Sequence, residues 1–146
     1  MIINRIAICV FWEQNGILRD YVEYYLKGLQ QIAKKILVVV NGKISSDSIC
    51  KLNKLNIEYI IRENKGLDFA GYKAGIEHIG YDVLKEYDSL ILTNTTVMVQ
   101  FTHLMRCLTL WKNALVIFGV LQNIQNMHKC LNIFSHISLF SKKICL

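Results

Sequence analysis

From Arg5 to Asn94, short apolar runs alternate with amphipathic stretches, and the alternation stops at Thr95. No other feature limits the fold as much. Arg5–Phe11 (RIAICVF), residues 36–40 (ILVVV), 57–61 (IEYII) and 89–93 (SLILT) are short, mostly apolar runs with β-branched content, as buried strands require. The stretches between them carry helix signals. Asp20 is placed to cap a first helix, on which Tyr21, Tyr24, Tyr25, Gly28, Leu29 and Ile32 recur at three- and four-residue spacings. Lys34 and Lys35 suit its C-terminal end. Asn41 and Gly42 make a turn, after which Ser46 or Asp47 caps a short helix through Leu55. A third helix spans 68–79, approached through Gly66 and closed by Gly80.

Strands of this kind joined by helices predict an α/β fold: a mostly parallel sheet covered on both faces, a Rossmann-like half-domain over residues 1–94. Ligands of such sheets sit beyond the carboxyl ends of the strands. Those ends are residues 11–16, 41–43, 62–68 and 93–96, and they hold most of the unusual polar residues. From Thr95 the logic fails, and residues 95–146 read as an irregular tail without steady period or caps.

Composition narrows the function classes. A chain of 146 residues, 53% hydrophobic, is one domain's worth and excludes disorder. The greasiest run, 114–121, is far short of the roughly 20 residues of a membrane span. Residues 1–12 are apolar, but Arg5 interrupts them and Glu13 ends them with no small-residue cleavage site. A cytoplasmic chain, at most working at the inner face of the membrane, is expected. Cys9, Cys50, Cys107, Cys130 and Cys145 never form a C-x-x-C pair, and the four histidines show no ligand spacing. The net charge of +6 suggests nucleic acid until its distribution is examined. All eleven acidic residues lie at or before Asp88, so the excess reflects missing acids in the tail and not a basic stripe. No nucleic-acid partner is expected.

Residues 62–75, RENKGLDFAGYKAG, fit the pattern R-E-N-x-G-x-D-F-x-x-Y-K-x-G. With GILRDYVEYYLKGL (16–29), ILVVVNGKIS (36–45) and EYDSLILTN (86–94), in order and spacing, the chain resembles the rhamnan synthesis protein F family over residues 5–94. The resemblance implies a GT-A-type glycosyltransferase of rhamnose-polysaccharide synthesis. It also implies a dTDP-rhamnose donor, a glycan acceptor and a divalent metal, Mg or Mn, in the intact family.

The residues suit a nucleotide-sugar donor. Arg62 offers a planar fork for phosphate or for a carboxylate such as Asp68. Asn64 and Gly66 allow backbone near a ligand. Asp68 can accept from ribose hydroxyls or orient Arg62; equally, it can be a helix cap in a structural ion pair with Arg62. Tyr72 and Lys73 follow one turn on. Asn41 can meet base or ribose or simply serve its turn, and Glu13 stands where the first-strand loop meets the nucleotide. Asn94 closes the fourth strand. Family members often carry a histidine-tyrosine-aspartate run near Glu13, from which Phe11, Trp12 and Glu13 depart.

The larger departure follows Asn94. The family reads T-N-D and then Y-G-P, whereas this chain reads Thr93, Asn94, Thr95, Thr96. A threonine hydroxyl is a poor substitute for the carboxylate that would hold a metal on the diphosphate. Acids, family pattern and period all vanish together, as a reading-frame slip would cause. In the neighbouring frame Met98 and Val99 force a glycine, and permitted codons restore Y-G-P, D-F-W-G and Q-S-Y-F. Loss of one G from an Asp codon after Asn94 suffices. The chain is therefore expected to bind no metal and to lack activity as it stands. No catalytic base can be named. The other reading is a non-catalytic α/β module that holds a nucleotide or nucleotide sugar.

Overall fold

The computed structural model describes residues 4–95 and a two-residue strand further on. Its elements are β1 (Arg5–Phe11), α1 (Asp20–Leu29), β2 (Lys35–Asn41), α2 (Ser46–Lys54), β3 (Glu58–Arg62), α3 (Leu67–Ile79), α4 (Tyr81–Leu84), β4 (Ser89–Asn94) and β5 (Val116–Ile117). The strands form one sheet in the order β3-β2-β1-β4-β5, every pairing parallel. The Rossmann-like α/β arrangement expected from the alternation is what forms. The chain winds outward from β1 to β3, then crosses back to place β4 on the other side of β1. The strand order thus reverses between β1 and β4, the point where open α/β sheets form a ligand crevice.

Burial on both faces explains the unbroken apolar runs. On one face Ala7, Cys9 and Phe11 pack with Val38, Val40 and Ile91 beneath Val22, Leu26 and Leu29 of α1 and Leu52 of α2. On the other, Ile6, Ile8 and Val10 pack with Leu37, Val39, Leu90 and Leu92 beneath Tyr72 and Ile76 of α3 and Leu84 of α4. Successive strand residues alternate between two cores, so neither parity can be polar.

Two glycines bring α3 close to the sheet. A Cβ at Gly75 would lie 2.7 Å from Ile8 Cγ2, and one at Gly71 would lie 2.7 Å from Val10 Cγ2. Both neighbours are β-branched and stiff, so only glycine permits this approach.

The structure corrects several boundaries. Asp20 does not cap α1. Arg19 holds the N-cap position and Asp20 receives Lys51 Nζ at 3.0 Å. The helix stops at Leu29, and Ile32 and Ala33 are buried in a turn, so their apolar spacing mimics helix beyond its end. Lys35 belongs to β2 and pairs with Glu58 at 2.9 Å. Helix α2 is capped by Ser45, whose Oγ accepts from the Ser48 N–H at 3.2 Å. Asp68 is not a cap either, since Gly66 holds that position for α3. The expected tail at 95–146 lies outside the described residues except for Thr95 and β5. There β5, from the apolar run at 114–121, pairs with β4 where no fifth strand was expected.

Candidate functional site

The polar cluster begins where β2 and β3 end side by side, with Asn41 in register with Arg62. Asn41 is 1% exposed although it closes its strand. Its Oδ1 accepts from Arg62 Nη1 at 2.6 Å, and its Nδ2 donates to the Leu67 carbonyl at 3.2 Å. Arg62 Nη2 donates to the Lys65 carbonyl at 2.7 Å. The Arg62 carbonyl accepts from Gly42 N at 2.8 Å, where the chain turns at a φ of +103°. The guanidinium is therefore fixed from two sides, and its ion pair with Asp68, considered from sequence, is not formed.

The loop from β3 to α3 is tightly bent. Gly66 takes a φ of +76°, and a Cβ there would lie 2.7 Å from that of Ala70. Leu67 follows at a φ of +53° with its side chain 70% exposed. A left-handed conformation in a leucine costs roughly 1–2 kcal/mol. The Asn41 bond to its carbonyl helps hold it there.

One residue later, Asp68 Oδ2 accepts from Asn94 Nδ2 at 2.6 Å. Asn94 ends β4 and is 3% exposed. The bond draws the start of α3 to the switch point between β1 and β4. Behind it, on the α1 side, the Tyr25 hydroxyl and Thr93 Oγ1 share a short hydrogen bond. Burial pushes the Tyr25 hydroxyl up to about 12.

The remaining sequence candidates are placed differently. Glu13 is committed to its own loop: its Oε2 accepts the N–H groups of Asn15 at 2.7 Å and Ile17 at 2.9 Å, and its Oε1 lies 3.5 Å from Arg19. The Ile17 bond leads in holding its carboxyl below the usual range. Tyr72 is buried under α3, its ring edge-on to Phe69 with centroids 6.2 Å apart. Burial raises its hydroxyl above the ordinary tyrosine value. Lys73 is exposed, 3.8 Å from Glu77 on α3. Asn64 is exposed and lies beside the Gly42 turn. The structure thus joins Asn41, Arg62, Gly66, Asp68 and Asn94, and does not join Glu13, Tyr72 or Lys73 to them. Sequence reasoning missed Leu67 and Gly71. Spacing alone gives no signal for the first, while the second follows Phe69 in a helix whose sheet-facing side is otherwise apolar.

A fixed guanidinium at the end of β3 and a fixed carboxylate in the first turn of α3 can receive an anion and a hydroxyl-bearing group, respectively. A divalent cation would need further oxygen ligands beside Asp68. Such an ion takes carboxylate and carbonyl oxygens, yet among the described residues no three His, Cys, Asp or Glu side chains converge. Asp68 also faces an amide N–H donor, which a cation would repel. Away from the crevice, a cavity of about 590 Å³ opens at the amino ends of β2 and β3, lined by Gln30, Lys34, Asn53 and Asn56 among others. No helix among the described residues is long and apolar enough to cross a membrane.

No curated protein and no solved structure matches the chain. The profile of the family described as rhamnan synthesis protein F matches residues 36–144, about three quarters of the chain. That range takes in nearly all of β2, then β3 and β4 and the whole Asn41, Arg62, Asp68, Asn94 cluster; it starts later than the sequence resemblance over 5–94 and runs on well past it. On this match the chain belongs to the rhamnan synthesis protein F family.

Proposed function

We propose that this chain carries the nucleotide-sugar-binding half of a GT-A-type glycosyltransferase that builds rhamnose-containing cell-surface polysaccharide. We further propose that it does not transfer sugar in its present form. The observation that carries the reading is the polar cluster along the carboxyl ends of the strands, where Arg62 and Asp68 are each fixed by a buried asparagine. A nucleotide diphosphate-sugar, with dTDP-rhamnose as the candidate donor, presents an anion and vicinal hydroxyls. A guanidinium fork and a carboxylate recognise those two groups. Gly66 allows the α3 loop to pass close to such a ligand. Asn64 is exposed beside the Gly42 turn, next to the Arg62 end of the cluster.

Inactivity follows from the chemistry of the leaving group. A departing diphosphate concentrates negative charge that a metal or several positioned cations must stabilise. Arg62 supplies one cation, Lys73 is engaged with Glu77, and Thr95 stands where the family carries an aspartate. We attribute that change, and the acid-free segment 95–146, to a one-base slip near the Asn94 codon. The profile match through residue 144 crosses the segment that this account treats as foreign, so the coding DNA decides. An open neighbouring frame with Y-G-P supports the slip, and early stop codons there overturn it. Transfer assays with dTDP-rhamnose and Mg²⁺ or Mn²⁺ test the functional half. The chain as it stands is expected to show no turnover and the frame-restored chain to show it. Metal-dependent turnover by the present chain contradicts the proposal.

A non-catalytic nucleotide-binding module is the second reading. The Asn94 amide on Asp68 favours it, because that carboxylate is already directed away from metal binding. A closed neighbouring frame together with donor binding would establish it.

A further inference from the structure

Arg62 and Asp68 carry opposite charges six residues apart in one loop, yet each is bound to an amide instead of to the other. The geometry of those amides is unambiguous. A guanidinium only donates, so the Asn41 atom facing it must be Oδ1. The Leu67 carbonyl only accepts, so the Asn41 atom facing that must be Nδ2. A carboxylate likewise requires Asn94 to present Nδ2 to Asp68. Asn41 therefore spans from the guanidinium to the carbonyl immediately preceding Asp68, at 2.6 Å and 3.2 Å.

Burial makes these bonds hard to give up. Asn41 is 1% exposed and Asn94 is 3% exposed, and a buried amide that loses its partner bears the full cost of desolvation. An aspartate could replace neither. At position 41 it would set an oxygen against the Leu67 carbonyl, and at position 94 it would set a carboxylate against Asp68. The Gly71 position lets α3 lie close over this pair of strands, since a Cβ there would strike Val10 at 2.7 Å, with Asn41 Nδ2 in ordinary contact at 3.5 Å.

We propose that Asn41 and Asn94 are positioning residues that hold Arg62 and Asp68 apart, so that neither charge neutralises the other and both stay available to a diphosphate-bearing ligand. This rests on the donor-site reading above and refines it. Asn41 is then not itself a base or ribose contact; both its polar groups are already used within the protein. Without the Asn41 amide the guanidinium keeps only its bond to the Lys65 carbonyl and can turn toward Asp68. The resulting ion pair withdraws the cation from an incoming phosphate.

The test is a double-mutant cycle on the full chain, with inorganic pyrophosphate and dTDP as probes and folding checked by circular dichroism. The parent chain is expected to bind both probes, and Asn41→Ala to weaken binding roughly tenfold or more, the loss of one charge-assisted contact. In N41A the added change Asp68→Ala should recover most of that loss of pyrophosphate binding, because the residue that captures Arg62 is gone. A merely structural role gives D68A the same effect on pyrophosphate binding in N41A as in the parent, and a D68A gain no larger in N41A than in the parent overturns the inference while leaving the donor site standing. Failure of the parent chain to bind either probe overturns the donor site itself and the inference with it. Where N41A does not fold, Asn94→Ala makes the same test, since it releases Asp68 toward Arg62 and should likewise be rescued for pyrophosphate by D68A.

Discussion

Leu67 holds its backbone at a φ of +53° while leaving its side chain in water, a cost without any packing return. Glycine would take the same conformation without the Cβ clash, although it loses more freedom on folding. Leu67→Gly should therefore leave stability unchanged or raise it by up to about 1 kcal/mol in urea denaturation. A loss beyond about 1 kcal/mol would show that the side chain packs in a way its exposure does not reveal. The residue scale is also where sequence reading was weakest. Arg62, Gly66, Asp68, Asn41 and Asn94 drew attention because charged, amide and glycine residues stand out at strand ends. Their partners were not legible, because bonds such as Asn94 to Asp68 join residues 26 apart through the fold. Tyr72 was hard to place from sequence for a related reason. Its aromatic ring satisfies the helix periodicity of a core residue and the chemistry of a site residue equally well, and only packing decides.

Helix α3 sets the geometry of the crevice by how closely it lies on the sheet. Gly75→Ala would place a methyl group 2.7 Å from Ile8 Cγ2 and 3.1 Å from Val39 Cγ2. Overpacking of this kind costs roughly 1–3 kcal/mol, measurable as a lower urea midpoint. An unchanged midpoint would mean that α3 does not sit this close. At the other helix start, Ser45→Ala removes the acceptor for the Ser48 N–H and should cost about 1 kcal/mol, again by urea midpoint. At this scale the sequence was informative. The strands of β1 to β4 were legible from apolar runs, and α3 from the glycines on either side of it. Helix boundaries were less so, since Ile32 and Ala33 continue the apolar spacing of α1 after its hydrogen bonding has ended. The short α4 escaped notice because four residues carry no period to detect.

Among the described residues β1, β2 and β4 are buried on both faces, and this interior contains groups that ionise only at high pH. Burial pushes Cys9 from 9.0 up to about 12 and Tyr25 from 10.0 to about 12, and it raises Tyr72 as well. The unfolded chain releases these protons near their ordinary values, while the folded chain retains them. Stability is thus complete below about pH 9 and falls as pH rises toward 12. The urea midpoint at about pH 10.5 should be clearly below that at about pH 7.5, and Tyr25→Phe should lessen the drop. Equal midpoints would mean that these groups are not sealed in the core. The parallel sheet and its reversal of strand order were also the part of the whole fold most open to prediction. Strand–helix alternation with right-handed connections leaves few arrangements. The fifth strand was not, because the run that supplies it lies in a segment with no caps or period.

The central claim is that Arg62, at the carboxyl end of β3, receives the diphosphate of a nucleotide sugar. Calorimetric titration of dTDP-rhamnose into the chain and into Arg62→Ala tests it most directly. The account predicts binding by the chain and roughly 10- to 100-fold weaker binding by the variant, with the melting temperature little changed. Equal affinity in the two proteins would contradict it.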